Sequence, residues 1–119
     1  MKRLLIGITL LLATTGAIAQ GVNVRGSRSC ADWIQERTQE VPNRFTAVDS
    51  TRNWLTGYLS GLAIGASRNF WGQPNVNLLS NQSVFFWVDN YCRANPLKDI
   101  DDAGTALFLE RCPTAASCR

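Results

Sequence analysis

The sequence predicts an all-α domain, a compact bundle of about four helices stapled by two disulfides. Three observations predict it. No segment sustains the period-two alternation of a half-buried strand, whereas apolar residues recur at steps of three and four in several stretches. Four cysteines stand behind a leader of the kind that directs export, which favours disulfides over free thiols.

The leader comes first. Met1, Lys2 and Arg3 form a short basic head, Leu4 to Leu12 is almost purely apolar, and Ala17-Ile18-Ala19 fits the small-x-small rule of signal peptidase. The apolar stretch is shorter than the roughly 20 residues a membrane-spanning helix needs. Cleavage after Ala19 and release into the periplasm is the reading. Removing Lys2 and Arg3 leaves ten basic against nine acidic residues, a net charge of +1. The apparent basicity is therefore mostly targeting equipment. With no clustered basic patch, nucleic acid is not expected as a partner.

Residues 1–19 are thus read as signal peptide, 20–29 (QGVNVRGSRS) as a flexible N-terminal arm, and 30–119 as the helical domain. Ser29 caps a first helix from Cys30, with Asp32 as acidic partner and Trp33, Ile34 and Arg37 at helical spacing. Val41-Pro42 stops it. Asp49 or Ser50 caps a second helix whose broad apolar face carries Trp54, Leu55, Tyr58, Leu59 and Leu62. Gly57, Gly61 and Gly65 recur every four residues. Each costs a helix interior roughly 1 kcal/mol against alanine, which suggests close helix packing along that row.

Residues 67–79 are broken by Gly72 and Pro74 and read as a loop. Phe70 and Trp71 within it either lid the core or form an exposed patch. A third helix covers 82–93, with Val84, Val88 and Tyr91 as its stripe and Phe85, Trp87 and Cys92 alongside. Asn95 caps a fourth, with Pro96 at its first position and Asp99, Asp101 and Asp102 in its early turns, where carboxylates favour the positive end of the dipole. Leu97, Ile100, Gly104, Leu107 and Phe108 are its expected buried face.

Four cysteines allow three connectivities. Cys30 and Cys92 sit on helix faces that read as buried, so they are paired, leaving Cys112 with Cys118. Neither metal nor redox chemistry is expected from them. They lack paired CxxC spacing and have no histidine to help, since the chain contains none.

The missing histidine also removes the commonest general base. The acidic group Asp99, Asp101 and Asp102, with Asp89 and Glu110 as candidate neighbours, has neither the alternation nor the central glycine of a calcium loop. No catalytic residue, metal or cofactor is assigned, and the protein is not read as an enzyme.

The segments WLTGYLSGLAIG (54–65) and FWVDNYCRANPLKDIDDAGTAL (86–107) resemble small periplasmic helical proteins of two kinds. One is the Tai/Rap type of immunity proteins, which neutralise amidase toxins. The other is the HdeA-like acid-stress chaperones. Either resemblance implies a compact, disulfide-linked protein with a protein partner (toxin, enzyme or client) and leaves room for a homodimer. The favoured expectation is an inhibitory binding protein. Its contact residues would be Arg68, Asn69, Phe70, Trp71 and Gln73, because loops on a rigid scaffold commonly carry binding. The alternative is an acid-opened chaperone.

Overall fold

A computed structural model of the chain describes residues 23–38, 47–72 and 78–118, with only the backbone for 47–49. The expected leader, the Val41-Pro42 stop and Gln73 lie outside the described residues. Four helices are present among them: α1 (Cys30–Thr38), α2 (Ala47–Gly65), α3 (Asn81–Ala94) and α4 (Ile100–Arg111). They pack in a ring, with α1 against α3, α3 against α4, α4 against α2 and α2 against α1. Both disulfides form as paired above, Cys30–Cys92 and Cys112–Cys118.

Helix α1 starts where Ser29 Oγ accepts the Asp32 N–H at 3.0 Å, a side-chain cap on one of the orphan donors of the first turn. It buries Cys30 and Trp33, one turn apart. In α2 the buried stripe is Thr51, Leu55 and Leu59 at four-residue steps, with Trp54 and Leu62 packed beside it. That helix begins at Ala47, so Asp49 and Ser50 lie inside its first turn rather than capping it.

The end of α2 is set by a residue whose sequence gives no hint of it. Ser67 adopts φ 51°, the left-handed conformation. The Arg68 N–H then bonds to Ala63 O at 2.9 Å and the Ser67 N–H to Ile64 O at 3.1 Å. These are the paired bonds of a Schellman motif, in which glycine is the usual residue at the left-handed position.

Helix α3 is capped by Ser80, whose Oγ accepts the Ser83 N–H at 3.1 Å, and it buries Val84, Phe85, Val88, Asp89 and Cys92. Helix α4 starts four residues later than expected. Asn95 closes α3 instead, its N–H bonding to Tyr91 O, and Asn95–Lys98 forms a turn with the Lys98 N–H on Asn95 O. Asp99 is the true N-cap, with the Asp102 carboxylate accepting the Asp99 N–H at 3.4 Å. A proline suited to a first turn was outcompeted by Asp99 and Asp102 in the arrangement of a capping box. Leu97 consequently falls in the turn and is 99% exposed, not buried.

The arm, expected to be loose, is strapped down over 23–29. The Cys30 N–H donates to Lys98 O (2.7 Å) and the Ile100 N–H to Arg28 O (2.9 Å), pairing Ser29 with Asp99. Ser27 Oγ donates to Asp101 at 2.5 Å, and Trp54 Nε1 donates to Arg25 O at 3.1 Å. Gly26 has φ +83°, and a Cβ there would stand 2.7 Å from Trp54 Nε1. Glycine is required at that crossing.

The core runs continuously from Cys30 and Trp33 through Leu55, Leu59, Val84 and Val88 to Ile100, Ala103 and Phe108, and ends on Cys112 and Cys118. The glycines that sequence periodicity assigns to helix packing are not part of it. A Cβ on Gly57, Gly61 or Gly65 would meet nothing within 4 Å. Gly57 and Gly61 follow Leu55 and Leu59 by two residues, which rotates them about 200° from the buried stripe at 3.6 residues per turn. Close packing occurs instead at Gly104, where a Cβ would lie 3.1 Å from Tyr58 and 3.2 Å from Leu55.

Candidate functional site

The loop after α2 was expected to carry partner contacts, and its side chains divide sharply. Phe70 is fully buried, stacked on Phe108 with ring centroids 5.6 Å apart. It seals the core and offers no contact surface, which corrects its assignment as a binding residue. Trp71 is half-buried, edge-on to Phe70, with its Nε1 donating to Ser60 Oγ at 3.1 Å. Arg68 is turned inward, its guanidinium over the Phe108 ring and its Nη1 donating to Cys112 O at 2.5 Å. Of the expected contact residues described, Asn69 alone is exposed.

Asn69 nevertheless belongs to an ordered surface. Its N–H donates to Cys118 O at 2.7 Å, docking the loop onto the tail closed by Cys112–Cys118. Arg111 Nε donates to Phe70 O at 2.8 Å from the other side. Within the tail, the Thr114 N–H bonds to Ser117 Oγ and Ser117 Oγ donates to Thr114 O. Residues 113–117 are all exposed, although both cysteines beneath them are buried. Among the described residues, Asn69 and 113–117 form a small knob without charged side chains, held at its base by a disulfide, two arginines and backbone bonds. The spacing CPTAASC was its signal in the sequence, read there only as a staple.

The acidic residues do not converge. Asp99 and Asp102 cap α4, Asp101 is bonded to Ser27, and Glu110 is exposed at the far end of the helix. Asp89 is elsewhere, 3% exposed between α1 and α3. There it accepts from Trp33 Nε1 and Arg37 Nη2, each at 2.7 Å. A carboxylate so enclosed is a structural tie. Among the described residues no group of three or more Cys, Asp or Glu side chains is arranged to hold a metal ion, and all four cysteines are in disulfides.

One concavity has a wall chemistry of its own. A cleft of about 320 Å³ opens between α3 and α4, with Leu79, Val84, Trp87 and Leu107 as its apolar walls. Ser83, Glu110 and Arg111 complete its lining. Trp87 is stacked on Tyr91 one turn along, with centroids 5.6 Å apart.

The disulfides indicate an oxidising, exported environment. Among the described residues no helix is long and apolar enough to cross a membrane. No protein-family model, curated protein or solved structure matches the chain.

Proposed function

We propose that this chain is a periplasmic, non-enzymatic binding protein that neutralises a toxin or hydrolase, in the manner of the Tai/Rap-type immunity proteins its helices resemble. The observation that carries this reading is the braced knob of Asn69 and residues 113–117. Its backbone is fixed before any partner arrives, by the Asn69–Cys118 and Arg68–Cys112 bonds and the Cys112–Cys118 bridge. A preordered surface loses little conformational entropy on docking, which is what a tight, specific inhibitor needs. Small side chains over the knob also let a partner backbone approach closely.

An HdeA-like chaperone is the second reading. The exposed apolar side chains Ile64, Leu78, Phe86 and Leu97 favour it, because client binding uses such surface. The two readings separate in one experiment. The mature protein is crosslinked in the periplasm, and the recovered partner is purified and assayed with and without it. An inhibitor silences one enzyme stoichiometrically at neutral pH, and Ala116→Trp weakens that inhibition by about tenfold or more. Recovery of many unrelated clients, only after acidification, would replace the inhibitor with the chaperone.

A further inference from the structure

We draw no further inference here: the strongest candidate, the outward face of α2 where Gly57, Gly61 and Gly65 lie in a row beside the exposed Ile64, is a stripe of small residues, and nothing among the described residues shows what covers it.

Discussion

Asp89 on α3 accepts the Trp33 indole N–H at 2.7 Å, joining two helices through a carboxylate that is almost wholly buried. Arg37, one turn beyond Trp33, closes on the same carboxylate, its Nε 2.5 Å from Oδ1 and its guanidinium over the Trp33 ring. A buried charge is tolerable only with such company, and removing one member strands the others. Asp89→Ala should therefore destabilise the fold by about 3–5 kcal/mol. Trp33→Phe, which loses the donor and part of the buried ring, should cost at least about 1.5–3 kcal/mol. Urea denaturation of both and of the double variant checks this. Additive losses would show that the two residues act independently.

The same two helices are joined again by Cys30–Cys92, whose cysteines lie 62 positions apart. In the chain-entropy model, closing that loop stabilises the fold by roughly 4 kcal/mol, and the short Cys112–Cys118 loop by about 2 kcal/mol. Replacing Cys30 and Cys92 by alanine should lower the denaturant midpoint about twice as much as replacing Cys112 and Cys118. The second pair should instead affect the knob. Amide exchange at Asn69, whose N–H reaches Cys118 O, should quicken well before global unfolding does.

What was legible in the sequence was whatever depends on the helical period alone. Leu55, Leu59, Val84 and Val88 announce their buried faces by spacing, and Cys30 and Cys92 announce their bridge by falling on two such faces. What was illegible depends on contacts between distant segments. Nothing local marks Asp89 as the partner of Arg37, or the 23–29 arm as a strap across α4 and Trp54. Phe70 could be read as a lid or as an exposed contact because a loop has no period, and it is the lid, packed against Phe108 of α4. The knob was hidden for a different reason. Its small residues carry no chemical signature, and only the placement of Asn69 beside them makes a surface.

The glycines of α2 and α4 should answer substitution with opposite signs. Gly57, Gly61 and Gly65 face open space, so alanine at each relieves backbone entropy without a clash and should stabilise by about 0.5–1 kcal/mol. Gly104→Ala must push against Tyr58 and Leu55 at 3.1 and 3.2 Å, an overpacking that costs about 1–3 kcal/mol. Thermal unfolding of the four single variants measures this directly. A destabilised Gly61→Ala would mean that something does cover the outer face of α2 in solution.

Ser67 provides the sharpest single-residue test, because the strain there is confined to one backbone position. A side chain in the left-handed region costs roughly 1–2 kcal/mol, and glycine removes that cost while losing somewhat more entropy on folding. With φ at 51° and the Arg68 N–H bonded to Ala63 O, Ser67→Gly leaves both bonds of the motif in place. It should stabilise the protein by about 0.5–1 kcal/mol. Ser67→Val, β-branched and least at home at positive φ, should destabilise it by more than that and loosen the turn that aims Arg68 at Cys112. Calorimetry of the two variants reads the sign. Equal transitions for glycine and valine would mean that Ser67 is not held in this conformation.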